Sequence, residues 1–404
     1  MKLSVIDACF PLTRQSFGMA ALWLRWHIPR CGGTIADPQD SDAIFVTCID
    51  SRNWTVLKAV RKRYFGRPVF AGGAGALAPY SLGLHCDAVC VGNGERFVAT
   101  LCGCGVDAAM SLPESWVDGQ ERPVEVASGF PWQCPPIQCE DGAYRVWCGR
   151  GCRMRCAFCQ TGWAMEYVEN PDARGLLDTI KMLQRQNLAF AYLSNDPNQH
   201  SFSKLLPPIN HGSYSLNFIR RNGPPSARQV RLGIEGVSER MRKIIGKPIA
   251  HNDLVKSAAW LNSLGKSVRW FLVAGLPGET DEDWQELRRA VMEWKLICSK
   301  GVLALSFTAW TPQPATPLGI APVTDEYWPR WNAFREWFFS GAGWSNRIKI
   351  MAPSMPATRM ESAVASMGLT VDELRIGGRW GPNDRVVYPH KAARNRVAGR
   401  LGYG

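Results

Sequence analysis

Four cysteines fall between residues 148 and 159, in the order Cys148-Gly-Arg-Gly-Cys152-Arg-Met-Arg-Cys156-Ala-Phe-Cys159, and the last three read C-x3-C-x2-C. Thiols this close on a glycine-containing loop can turn toward one point. The chemistry that calls for such a loop is a soft metal, either zinc or an iron–sulfur cluster. Four thiolates make a closed structural site. Three thiolates around an iron–sulfur cluster leave one iron open to a substrate or cofactor.

A loop of this kind needs a frame. Residues 143–148 (AYRVWC) read as a buried strand running into the loop. After it come helix 176–186, strand 188–193, strand 213–219, strand 230–234, helix 253–264, strand 268–273, helix 283–298 and strand 303–310. Thr280-Asp281 suits a helix N-cap, and Gly265 falls just past a helix end. The strands end in polar or glycine residues: Ser194-Asn195-Asp196, Glu235-Gly236, Gly275-Leu276-Pro277-Gly278-Glu279, and Thr311 to Pro317. A full or partial β/α barrel collects its functional groups at those ends. A zinc finger gives no reason for the series.

Residues 1–105 alternate in the same way. Strands at 3–9, 43–49, 68–71 and 88–91 are separated by helices at 17–27 and 54–65. This predicts a parallel sheet with a ligand edge outside the strand C-termini. The turns Gly72-Gly73-Ala74-Gly75 and Gly92-Asn93-Gly94-Glu95 sit on that edge, where glycine lets backbone approach a bulky group. A tight turn with no ligand is the alternative. Residues 106–142, with five prolines and little periodicity, read as a linker. Residues 321–404 read as a small capping domain with an aromatic helix at 327–339, a second helix near 358–367 and a basic tail.

The 404 residues carry a formal net charge of +12 and 14 cysteines. The composition is that of a globular cytoplasmic enzyme, with no signal-peptide pattern and no stretch of membrane-spanning length. Free thiols fit a reducing compartment better than a disulfide framework does. Arg375, Arg379, Arg385, Lys391, Arg394, Arg396 and Arg400 concentrate charge in the tail. That favours an anionic or nucleic-acid substrate, with a solvated basic face as the alternative.

The C-x3-C-x2-C loop after a first strand, with Phe158 beside the last cysteine, resembles the radical SAM (S-adenosylmethionine) superfamily. RLGIEGVSERMRKIIGKPI, FLVAGLPGETDEDWQEL and FTAWTPQPATPLG resemble the fourth, fifth and sixth strand regions of its cobalamin-domain and methylthiotransferase-like branch. The resemblance spans residues 143–320. GGAGALAPYSLGLHCDAVCVGNGERF resembles the last third of the cobalamin-binding domain that precedes many such enzymes. One departure is plain: the Asp-x-His-x-x-Gly that supplies an axial histidine in other cobalamin proteins is absent.

The resemblance implies an α/β chain with an N-terminal Rossmann-like, cobalamin-binding-like sheet (1–105), a linker (106–142), a radical SAM partial barrel (143–320) and a small C-terminal domain. It implies that Cys152, Cys156 and Cys159 hold a [4Fe–4S] cluster whose open iron chelates SAM. A protein reductant such as flavodoxin or ferredoxin would supply the electron that cleaves the sulfonium. Phe158, Asn195, Asp196, Glu235, Gly275 and Pro277 would contact SAM, and Gly72, Gly73, Gly92 and Gly94 would border cobalamin if it binds. Thr316 and Pro317 end the last strand at the site, with a purely structural turn as the alternative. The reaction would be methylation of an unactivated carbon or another radical transfer, on a substrate left open.

Two alternatives stand beside this. A methylthiotransferase-like enzyme acting on tRNA or protein would use Cys9 and Cys48 for a second cluster, yet Ala74 stands where the third cysteine belongs. A zinc-stabilised nucleic-acid-binding protein would add Cys148 to the other three thiols. The first reading sets Cys148 aside as a bystander.

Overall fold

The computed structural model describes residues 1–9, 18–49, 53–77, 79–118, 124–127, 133–207, 213–225, 227–319, 327–341, 343, 346–351 and 374–376. The second C-terminal helix expected near 358–367 and the basic tail, apart from the backbone of 374–376, lie outside these residues.

The N-terminal sheet takes β1 (Lys2–Asp7), β2 (Thr34–Ile35), β3 (Ala43–Thr47), β4 (Val69–Gly72), β5 (Ala88–Cys90) and β6 (Ser115–Trp116), in the order β2-β1-β3-β4-β5-β6. All pairs are parallel except β5 with β6. Every residue of β3 and β4 is buried. That is why these strands read as unbroken apolar runs without alternation. Helices α1 (Met19–His27) and α4 (Glu95–Cys104) bury Trp23, Leu24, Phe97 and Leu101 on one face of the sheet, while α2 (Trp54–Arg63) buries Leu57 and Val60 on the other.

The stretch read as a linker carries α5 (Val106–Met110), β6, β7 (Val124–Val126) and β8 (Ile137–Gln138). Trp116, Val124 and Val126 bury among the residues of the first sheet. Strand β7 also pairs in parallel with β18 (Leu374–Ile376), which ties the C-terminal part of the chain back to the N-terminal region.

Among the described residues the second half holds two sheets of three or more strands. In one, β9 (Tyr144–Trp147) pairs in parallel with β12 (Phe190–Leu193) and antiparallel with β8. The other is a wholly parallel sheet in the order β13-β14-β15-β16-β17. Its strands are β13 (Ser213–Tyr214), β14 (Gln229–Glu235), β15 (Ser267–Ala274), β16 (Leu303–Ala309) and β17 (Ile348–Met351).

One expected strand is corrected. Residues 213–219 give only two strand residues and then α8 (Leu216–Asn222), because Ser215 caps a helix by accepting from the Phe218 N–H at 3.2 Å. The apolar residues of this stretch serve the helix, burying Leu216 and Ile219.

Helices α10 (His251–Ser263) and α11 (Asp281–Ile297) cover one face of the parallel sheet. Trp284, Leu287, Val291 and Trp294 of α11 meet Trp270, Leu272, Leu305 and Phe307 there. The start expected at Thr280 is a capping box, in which Thr280 receives the Asp283 N–H and Asp283 receives the Thr280 N–H. Trp331, Phe334 and Phe338 of α12 (Tyr327–Phe339) join the same core, with Trp331 and Phe307 4.8 Å apart between ring centroids.

Candidate active site

The cysteine loop leaves the C-terminal end of β9 and is pinned at both ends. Two-residue strands β10 (Gly149–Arg150) and β11 (Val168–Glu169) pair antiparallel across it. Gly151 has φ 73°, and a Cβ there would meet the Glu166 carbonyl oxygen at 2.6 Å, so the chain passes only as glycine. The far end is held to the barrel. The Ala157 N–H donates to the Ile245 carbonyl at 2.8 Å, and the Leu318 N–H donates to the Ala157 carbonyl at 3.1 Å.

Cys152, Cys156 and Cys159 lie within one another's electrostatic reach. Among the described residues no three His, Cys, Asp or Glu side chains close on one point as a single small ion demands. The Cys152 sulfur accepts from the Gln199 Nε2 amide at 3.2 Å and from the Met154 N–H at 3.4 Å. Gln199 is itself fixed, giving Nε2 to Asp196 at 3.0 Å and taking the Arg153 N–H at 2.7 Å. Burial pushes the Cys156 thiol up to about 12, partly countered by the Lys247 ammonium. N–H groups aimed at sulfur and a nearby ammonium stabilise thiolate charge, as an iron–sulfur cluster requires. On that ground the three residues fit such a cluster.

Cys148 is turned away. It is 0% exposed, packs with Leu176, Ile180, Leu183 and Phe202, and points its thiol at the Val146 carbonyl, 3.7 Å away. Among the described residues no fourth thiol joins the other three for a zinc site.

Phe158 packs against a group that includes Ala157, Met241, Ile245, Val273, Leu276 and Trp310. Glu235 ends β14 at φ 68°, where the register with β15 breaks. A glutamate in the left-handed region is strained by about 1–3 kcal/mol. The bulge turns its carboxylate to the Lys247 ammonium at 3.1 Å. Burial lowers Lys247, but Glu235 and the Cys156 thiol raise it to a net upward shift. A Cβ on Gly233 would lie 2.6 Å from Glu235 Oε1 and 2.8 Å from Lys247 Nζ, so glycine leaves room for this ion pair.

Gly275 has φ 84° and opens a turn in which Pro277 is buried. Glu279 closes that turn. It is 6% exposed and accepts from the Gly275 N–H at 3.0 Å, the Leu276 N–H at 3.2 Å and the Trp284 indole at 3.1 Å. Burial nonetheless pushes its carboxyl up to about 7. Asp196 belongs to the site through Gln199, whereas Asn195 is exposed at its edge. Thr316 is buried, and its hydroxyl donates to the Gln313 carbonyl at 2.8 Å, which is a turn.

Gly72, Gly73, Gly92 and Gly94 line an open-mouthed cavity of about 210 Å³. Trp23, Leu24, Phe45 and Val126 form apolar walls, and Arg150, Met165 and Glu166 of the cysteine-loop region close another side. Arg150 donates to the Asn93 side-chain oxygen in the Gly92–Gly94 turn. No histidine is among the cavity's described lining residues. Its apolar walls and glycine edge fit a cobalamin held without a histidine ligand. Cys48 is fully buried while Cys9 is exposed, and Ala74 lines the cavity.

Gln199, Lys247, Glu279 and Arg150 were not singled out from sequence. Lys247 carried one faint signal, lying twelve residues after Glu235 inside a motif already recognised. Gln199 carried none.

A Rossmann-like parallel sheet followed by a partial β/α barrel, with a thiol loop at the barrel's strand ends, is the architecture these elements define. No family model and no curated protein matches the chain. Solved structures do. The chain is similar over 99% of its length, and 99% of the other, to the radical S-adenosylmethionine methyltransferase TsrM from Kitasatospora setae, solved with tryptophan substrate and a SAM analogue (TM-score 0.57, 13% identity). It is similar over 98% of its length to OxsB, a cobalamin-dependent SAM radical enzyme solved with aqua-cobalamin and SAM, of which it spans 66% (TM-score 0.54, 12% identity). At these identities the likeness is one of fold.

Proposed function

We propose that the chain is a radical SAM enzyme of the cobalamin-binding branch, acting as a methyltransferase or other radical transferase. The observation that carries this is the placement of three thiols at the barrel mouth, with the loop that bears them also walling the glycine-edged cavity. Cys152, Cys156 and Cys159 would hold a [4Fe–4S] cluster, which supplies the electron for reductive cleavage of the SAM sulfonium.

The chain's own residues have definable tasks. Gln199 and the Met154 N–H stabilise charge on the Cys152 sulfur. Glu235 and Lys247 offer one acceptor and one donor, the pair that a zwitterionic amino-acid end of SAM needs. Phe158 and its apolar neighbours exclude water beside them. In the cavity, Trp23, Leu24 and Phe45 bury apolar surface of a cobalamin, and the glycine turns admit its bulk. A flavodoxin- or ferredoxin-like protein would deliver electrons in a reducing cytoplasm, a setting that suits 14 free cysteines. No described helix is long and apolar enough to cross a membrane.

The test is anaerobic purification with assay of iron, sulfide, zinc and cobalt, then SAM and a reductant. The expected outcome is four irons and four sulfides per chain, bound cobalamin, and 5′-deoxyadenosine or S-adenosylhomocysteine as product. Zinc without iron overturns the reading. Iron without cobalamin, even when cobalamin is supplied, removes the cofactor from the N-terminal domain.

A further inference from the structure

Among the described residues the parallel sheet β13–β17 carries α10 and α11 on one face, while the other is covered at its C-terminal end, where Val273 packs with Ala157, Phe158 and Met241, and carries no hydrophobic cluster below that. Val230, Leu232, Val268, Trp270, Leu272, Leu303 and Leu305 are buried in the core they share with α10 and α11. The pleat sends the intervening residues to the opposite face. There Arg231, Arg269, Phe271 and Ser306 are half-buried and Lys349 is exposed. Gly233 belongs to the same series, and the Glu235–Lys247 pair lies over it. The open face is therefore continuous with the SAM side of the site.

One row of this face is basic. Arg231 is in register with Arg269, Arg269 with Ala304, and Ala304 with Lys349. Neighbouring strands lie about 4.8 Å apart and register partners project to the same side, so Arg231 and Arg269 stand side by side. Like charges placed so destabilise a sheet. Arg96, Arg240 and Arg242 each meet an acid. Arg231 and Arg269 meet none among the described residues, and the Arg269 Nε is shielded from water with no acceptor. A buried donor left unpaired is unfavourable unless something else supplies the acceptor.

We propose that Arg231 and Arg269 recognise an anionic group of the substrate, a carboxylate or a phosphate. Paired guanidinium forks suit either one. The rest of the substrate then runs up the open face toward Glu235 and the cysteine loop. Val273, which packs with Phe158, lies four positions beyond Arg269. That is about 13 Å along the strand, and it sets the scale of distance between the anion and the reacting end. This substrate class rests on reading the open face as the active site.

Thermal unfolding of the anaerobically prepared protein tests it, with inorganic phosphate and benzoate compared against chloride at equal ionic strength and benzamide as the neutral probe. At least one of the two anions raises the Tm, and which one does so separates phosphate from carboxylate. Benzamide does not raise it. Arg231→Gln and Arg269→Gln bind that anion at least tenfold more weakly and lose the rise, while Lys62→Gln on the exposed side of α2 keeps it. No rise in the parent protein, or an equal rise in the Gln variants, overturns the proposal. So does a Gln variant that fails to fold, since the pair is then structural. Iron, sulfide and SAM binding are read on the same preparations. A parent protein that lacks iron but keeps the anion effect sinks the radical SAM reading and leaves the arginine pair standing.

Discussion

Cys148 and Cys152 differ by four positions, yet one thiol faces a hydrophobic core and the other accepts two N–H donors. Their substitution should separate them. Alanine at Cys152, Cys156 or Cys159 is expected to abolish iron binding. Cys148→Ala is expected to keep full iron and sulfide content and to cost about 1 kcal/mol in denaturant unfolding, the usual loss for trimming a small buried group. Iron retained in Cys156→Ala would break the ligand assignment. Glu235 and Lys247 form the second residue-scale unit. Glu235→Gln should weaken SAM binding by tenfold or more, measured by calorimetry on the cluster-loaded protein, with iron content unchanged. Gly233→Ala should produce the same loss by crowding the pair, since its Cβ would sit 2.6 Å from the carboxylate.

The GLPGE turn between β15 and α11 shows how one element stores a titrating group. Glu279 ties the backbone of Gly275 and Leu276 to the indole of Trp284, and so fixes the turn against the helix that follows. Its carboxyl stands at about 7 in the fold against an ordinary 4.5, raised first by burial and only partly restrained by its three donors. The folded state therefore holds a proton that the unfolded state has released. Stability from this group is full below about pH 4.5 and is lost as pH rises through 7, by roughly 3 kcal/mol. His200 is lowered from its ordinary 6.5 by burial and acts in the opposite sense, so the comparison must be made with a variant. The parent protein minus Glu279→Gln should show a stability difference that declines between pH 5 and pH 8 in denaturant titrations. A difference independent of pH would refute the raised carboxyl.

At the scale of the whole molecule, the cavity belongs to neither half alone. Glycine turns of the first sheet and residues around the cysteine loop enclose it together, and Arg150 crosses to Asn93 between them. Filling it should separate its occupant from the thiol site. Ala20→Trp places a large ring in the cavity wall. It is expected to abolish cobalamin binding, followed by visible absorbance, while leaving iron content and SAM binding unchanged. Undiminished cobalamin binding would put the cofactor elsewhere. Arg150→Ala should weaken cobalamin binding less and loosen the contact between the two halves, seen as faster amide exchange in the Gly92–Gly94 turn.

Much of this was written in the order of residues. Runs such as AIFVT and VRWFLVA are strands because both the local propensity and the demand for burial agree on them. The C-x3-C-x2-C spacing marks its loop because three thiols close in sequence have few other uses. Residues 213–219 misled because the serine that caps α8 and the apolar residues after it satisfy strand and helix patterns alike. What tertiary structure alone decided are the partners supplied by distant segments. Gln199 reaches Cys152 across 47 positions, and Arg150 reaches Asn93 across 57. Cys148 faces the core because of where β9 and α7 (Ala173–Arg185) pack. Arg231 and Arg269 become a pair only through strand register. Local propensity encodes which elements form, whereas register and packing, which depend on the whole chain closing on itself, determine which side chains share a site.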